Sequence, residues 1–140
     1  MALIALDTNT ISYYFRGDAQ VVPRLQALRP ADVAVPAIVE YELRYGLLRL
    51  PPEAAAPRLA ALAQLLQPLL RLPFDAACAE QAAQIRATLE AAGQPIGAHD
   101  LLIAATALRH GAALVTRNVR EFARVPGLRC INWHEDGAPV

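Results

Sequence analysis

The 140-residue chain contains no lysine: its 13 basic side chains are all arginine, and 13 acids balance them to a formal charge of zero. Without a net positive field there is no general electrostatic attraction for nucleic acid, so any such binding must rest on a local patch. A genome biased toward Ala, Arg, Pro and Leu codons explains the missing lysine better than a functional preference for bidentate guanidinium contacts. Cysteine is scarce too. Cys78 and Cys130 lie far apart and outside any C-x-x-C spacing, which suggests neither a disulfide framework nor a zinc site and fits a reducing, cytoplasmic setting. No stretch reaches the roughly 18 uncharged apolar residues of a membrane span, and Met1 to Leu6 lacks the basic opening of an export signal. No membrane partner is expected.

What the chain has in quantity is apolar residues, at 55% of the sequence with a mean hydropathy of +0.27. That exceeds the needs of one ordinary core and points to apolar surface set against a partner. The length suits one domain spanning residues 1–140.

Short apolar runs alternate with helical stretches. Ala2 to Leu6 reads as a strand buried on both faces and ending in the polar cluster Asp7, Thr8 and Asn9. Helical sequence follows to about Leu28, then a strand over Asp32 to Val35, then a helix to about Arg49 with Pro36 in its first turn. Pro51 and Pro52 precede a Leu/Ala helix from about Glu53 to Gln67, and Asp75 is placed to cap a helix that stops at Gly93. Ala98 to Arg109 is a helix whose middle has Thr106 as its only polar residue, so burial all round is expected. Ala113 to Thr116 and Leu128 to Asn132 read as further strands, the last at an edge. The alternation predicts a three-layer α/β/α sandwich with a mostly parallel sheet.

Ligands of parallel sheets bind at the carboxyl ends of the strands, which makes Asp7 a candidate site residue and puts Asn118 on the same edge. Asp7 is equally suited to cap the following helix. Glu42 has Ile38, Val39, Tyr45 and Gly46 as its helical neighbours, so a carboxylate on that inward face calls for a catalytic or metal role more than for an unseen Arg partner. Glu40, on another face with Arg44 four residues on, reads as a surface ion pair. Asp100 opens the buried helix, where the helix dipole alone favours an acid, and gains weight from the company of Asp7 and Glu42. Two carboxylates about 4 Å apart repel by roughly 4 kcal/mol at an effective dielectric near 20, so such a cluster holds a proton or a cation. Oxygen ligands suit Mg2+ or Mn2+, and phosphodiester hydrolysis is the natural chemistry. His99 adjoins Asp100 without an assigned role. Arg109, Arg117, Arg120, Arg124 and Arg129 gather around Asn118 with Glu121 as the one acid among them, as a phosphate-contacting rim or a solvated face would.

"LDTNTIS", "YELRYG", "GAHDLLIAATAL" and "LVTRNVREFARVPGL" followed by "NW", in this order and spacing, resemble the PIN-domain ribonuclease toxins of the VapC type over nearly the whole chain. The resemblance implies the α/β/α fold and a Mg2+- or Mn2+-dependent endoribonuclease. By motif, the acidic residues are Asp7, Glu42 and Asp100, which hold the metal, with Asn9 and Thr116 as polar supports. Asn118 stands where many members carry a fourth acid, which removes one negative charge from the metal cage and leaves it able to orient a water or a phosphate. The resemblance also implies an RNA substrate, a small antitoxin partner and a homodimer; the helix Glu53 to Gln67, with only Glu53 and Arg58 as charges and more apolar residues than one buried stripe requires, is the candidate partner surface unless it simply covers the core. Two rivals stay open: a noncatalytic RNA- or partner-binding domain of the same fold, and an aspartyl-phosphate phosphatase using Asp7. Against the second, Asn9 occupies the position of the usual second Asp, and no lysine is present to hold a phosphoryl group.

Overall fold

The computed structural model describes residues 2–135, so Met1 and 136–140, the ends of the expected domain, lie outside the described residues. Five short parallel strands form one sheet in the order β3-β2-β1-β4-β5. These are β1 (Ile4–Leu6), β2 (Val33–Pro36), β3 (Leu70–Leu72), β4 (Ala113–Val115) and β5 (Cys130–Ile131). Ala5 and Leu6 in β1, all of β2 and all of β4 are buried, which is why these strands read as continuous apolar runs.

Helices α1 (Thr8–Phe15) and α2 (Val21–Gln26) join β1 to β2, while α3 (Ala37–Leu48) and α4 (Pro52–Leu66) join β2 to β3. From β3 the chain returns through α5 (Ala76–Ala91) and α6 (Ala98–Arg109) to β4, and α7 (Val119–Phe122) leads to β5. Right-handed crossovers put α1 to α4 on one face and α5 to α7 on the other. The winding therefore reverses between β1 and β4, and a cleft opens beyond their carboxyl ends at that switch point.

Local signals explain most boundaries. Asp7 and Asp75 cap α1 and α5 by accepting the backbone N–H of Thr10 and Cys78, and Gly93 takes a φ of 70° just beyond α5. Pro36 closes β2 and precedes α3 where the first helical turn was expected to hold it. Helix α6 is buried over Leu101 and from Ile103 to Ala107. Its one buried hydroxyl, Thr106, is satisfied by donating to the Leu102 carbonyl at 2.8 Å.

Two features depart from the sequence reading. Strand β3 was not expected, because Leu70 and Arg71 are exposed and the segment runs on from α4 in composition. Helix α4 buries Leu62 and Leu66 and leaves Leu59 and Leu65 half-buried, so it covers the core more than it offers a free apolar face. The exposed large apolar side chains are instead Phe15, Tyr41, Tyr45, Leu48 and Leu70. Among the described residues no helix is long and apolar enough to cross a membrane.

Candidate active site

The acidic residues reach the switch point by different routes. Asp7 leaves the end of β1, Glu42 projects from the second turn of α3, and Asp100 lies in the first turn of α6, which runs back against the strand direction toward β4. Asp7 both caps a helix and serves the site. Its Oδ1 accepts the Thr10 backbone N–H at 2.8 Å and the Thr10 hydroxyl at 2.6 Å, and Thr116 adds a side-chain hydrogen bond. Burial raises the Asp7 pKa, those hydrogen bonds pull it back, and the Glu42 charge pushes it up again.

Glu42 is gripped at both oxygens. The Thr8 hydroxyl donates to Oε1, and Nδ1 of His99 lies 2.8 Å from Oε2. Against His99 the Tyr41 ring packs edge-on, with centroids 5.6 Å apart. The inward packing expected of this face holds only in part, since Val39 is buried while Tyr45 and Gly46 are exposed and Glu42 is half-buried; the acid occupies a partly open position between α1 and α6.

Asp100 shows the crowding most directly. Its pKa is pushed up to about 7, first by burial, then by its hydrogen bond with Glu121 and the negative charges of Glu121, Glu42 and Asp7. Glu121 is held low because Asp100, the more buried of the two, keeps the proton between them. Glu121 also accepts the Gly97 backbone N–H at 3.4 Å, and Asn118 nearby helps to hold its pKa low.

Glu121 is the residue that sequence reasoning passed over. It stands one helical turn beyond Asn118 on α7 and supplies the fourth carboxylate that Asn118 lacks. Asn118 has an exposed side chain near Glu121, while its N–H bonds the Thr116 hydroxyl at 3.0 Å. Thr116 is buried as a support for Asp7. Asn9 is exposed, and the supporting hydroxyls are those of its neighbours Thr8 and Thr10, which the first turn of α1 directs at Glu42 and Asp7.

A carboxylate-rich donor set of this kind fits a hard divalent cation, and a proton retained on Asp100 marks the place where positive charge is wanted. Among the described residues a different set, Asp75, Cys78 and His110, brings its three ligand atoms within 4.8 Å of one another. It sits at the far end of α6, and helix capping explains its closeness. Asp75 Oδ1 takes the Cys78 N–H at 2.9 Å, and burial keeps the Cys78 thiol protonated. Beside the acids, a groove of about 560 Å3 runs between α1, α3 and α4, lined by Thr8, Phe15, Arg16, Glu42, Leu47 and Arg58 among others.

Comparison with known proteins identifies the family and the fold. The sequence profile of the PIN domain matches residues 4–128. The chain is 34% identical over 134 residues to the tRNA(fMet)-specific endonuclease VapC of Salmonella typhimurium, covering 95% of this chain and 99% of that protein. It is 36% identical over 139 residues to the toxin FitB of Neisseria gonorrhoeae, covering 95% and 100%. In three dimensions it matches a chain of the DNA-bound VapBC from Salmonella typhimurium with a TM-score of 0.86 at 32% identity, over 95% of this chain and 99% of that one. A chain of FitAcB from Neisseria gonorrhoeae gives 0.87 at 35% identity, over 95% and 100%.

Proposed function

The chain belongs to the PIN-domain family, and from that premise we propose that it is the endoribonuclease toxin of a toxin–antitoxin pair, hydrolysing RNA phosphodiester bonds in the cytoplasm as one nuclease domain. The observation that carries the reading is that Asp7, Glu42, Asp100 and Glu121 are brought from β1, α3, α6 and α7 to one end of the sheet, with Glu42 tied to α1 and α6 through Thr8 and His99 and Glu121 tied to the start of α6 through the Gly97 N–H.

Asp7, Asp100 and Glu42 would hold Mg2+ or Mn2+, and Glu121 would add a fourth carboxylate to the set. When bound, the ion supplies charge neutralisation at the phosphate and a more acidic water. The chain's own part is to position and desolvate. Thr10 and Thr116 fix the Asp7 carboxylate, while Thr8 and His99 fix that of Glu42. The Gly97 backbone N–H holds Glu121 at the start of α6, beside Asp100. Such buttressing holds ligands in place without reorganisation during the reaction.

The groove beside Glu42 suits the antitoxin, since Phe15, Leu43 and Leu47 give it apolar walls and Arg16 and Arg58 give it charge. The exposed Tyr41, Tyr45 and Leu48 fall at i, i+4 and i+7 on α3, a stripe suited to pairing with a second copy. This moves the expected partner surface from α4 alone to the groove that α4 shares with α1 and α3.

Induced expression in growing bacteria tests the toxin reading. Arrest that disappears with Asp100→Asn supports it. Arrest by both proteins alike, or by neither at equal soluble levels, counts against it.

A further inference from the structure

The acids of the site repel the phosphates of RNA, and a chain of zero net charge offers no compensating field. Affinity for the strand therefore needs cations placed locally. Two are placed by one aromatic ring. Arg16, at the end of α1, and Arg117, in the exposed turn after β4, each hold a guanidinium carbon 5.6 Å from the centre of the Tyr13 ring. Arg117 also donates to the Tyr13 hydroxyl at 3.4 Å.

Arg16 borders the acidic centre directly, and Arg117 is joined to it through the shared Tyr13 ring. Arg16 lines the groove that contains Glu42 and Thr8, and Arg117 follows the end of β4, whose Val115 carbonyl accepts the Asp7 backbone N–H at 3.2 Å. Neither forms an ion pair among the described residues. Stacking on a ring orients a guanidinium while leaving most of its N–H donors outward, and the planar fork matches two phosphate oxygens.

Resting on the ribonuclease reading, we infer that Arg16 and Arg117, carried on Tyr13, are a phosphate clamp that binds the RNA backbone beside the scissile bond. They are binding residues, and Tyr13 is a positioning residue that acts through them.

The test is steady-state cleavage of bulk transfer RNA by the magnesium-loaded protein over a salt series. Wild type is compared with Arg16→Gln, Arg117→Gln, the double variant and Tyr13→Phe, and with Arg86→Gln, a solvent-exposed partner of Glu90, as the reference. Each clamp arginine lost is expected to raise KM about tenfold with kcat within about twofold. The plot of log kcat/KM against log salt should flatten by about 0.7 to 0.9 per arginine. Tyr13→Phe, which keeps the ring and loses one bond to Arg117, should raise KM less than Arg117→Gln does.

A double variant with wild-type KM and salt slope overturns the clamp. So does one that cuts RNA normally but no longer binds the antitoxin, which would assign the pair to the protein partner. Wild-type protein that cuts no RNA overturns the ribonuclease reading beneath it.

Discussion

Nδ1 of His99 lies 2.8 Å from Oε2 of Glu42, joining the start of α6 to the middle of α3 across the mouth of the site. Together with Thr8 on the opposite oxygen, it sets the direction in which Glu42 faces Asp7 and Asp100. His99→Ala should lower kcat by about tenfold or more, as loss of a hydrogen bond behind a ligand does, while the fold survives because His99 is about half exposed. His99→Asn, which keeps a donor, should recover part of the loss. Equal kcat in all three proteins would remove His99 from the account.

Asp7 caps α1 and is proposed as a metal ligand, and different substitutions separate the two. Asp7→Asn keeps an acceptor for Thr10 and should abolish cleavage with little change in melting temperature. Asp7→Ala should in addition cost about 1 kcal/mol for the lost cap. A thermal melt beside a cleavage assay reads both, and an active Asp7→Asn protein would exclude Asp7 as a ligand.

Glu121 and Asn118 should differ in weight. Glu121→Gln removes a carboxylate from the cluster and is expected to reduce cleavage by about 100-fold, whereas Asn118→Ala, which removes a neighbour of Glu121, should reduce it by about tenfold. Activity ranked the other way would return the fourth position to Asn118.

The acid cluster also makes stability depend on pH. Asp100, raised from 3.8 to about 7, keeps its proton in the folded protein through a range where the unfolded chain has already lost it. Its contribution to stability therefore falls as pH rises across that window. Melting temperature of the metal-free protein in chelator should decline from pH 5 to about 7.5 by this contribution. Glu121→Gln, by removing the neighbouring charge, should flatten the decline. Saturating magnesium should flatten it too, since bound positive charge replaces the proton. A decline as steep in Glu121→Gln as in wild type would place its origin elsewhere.

Much of this architecture was legible because each signal was local. Asp7 follows a strand buried enough to read as a continuous apolar run, Asp75 caps α5 as its position announced, and Thr106 as the lone polar residue marked α6 as buried. Glu42 stood out because its helical neighbours are apolar, and His99 and Thr8 supply its reason. What escaped depended on contacts between distant segments. Glu121 sits in an arginine-rich stretch that resembles a solvated face, and only the packing of α7 beside the start of α6 turns it toward Asp100. Asn9 was expected as a polar support only through the family resemblance, and nothing in its local sequence separates it from Thr8 and Thr10. The first turn of α1 sends Asn9 to solvent instead. Strand β3 has three residues, two of them exposed, and carries no pattern that separates it from the end of α4.

The stripe of Tyr41, Tyr45 and Leu48 gives the self-association claim its own test. Tyr45→Glu, on a side chain 58% exposed, should shift the sedimentation profile from dimer to monomer without lowering the melting temperature of the monomer. A wild-type protein that sediments as a monomer at micromolar concentration would contradict the pairing.

The central claim is that the carboxylates at the switch point form one metal-dependent centre that cuts RNA. Its most direct measurement is cleavage of total cellular RNA by purified, antitoxin-free protein in magnesium or manganese, beside the same protein in chelator and beside Asp100→Asn. Discrete fragments in the first reaction, absent from both controls, are the expected result. Folded, metal-loaded wild type that leaves the RNA intact, or fragments that persist with Asp100→Asn, would contradict it.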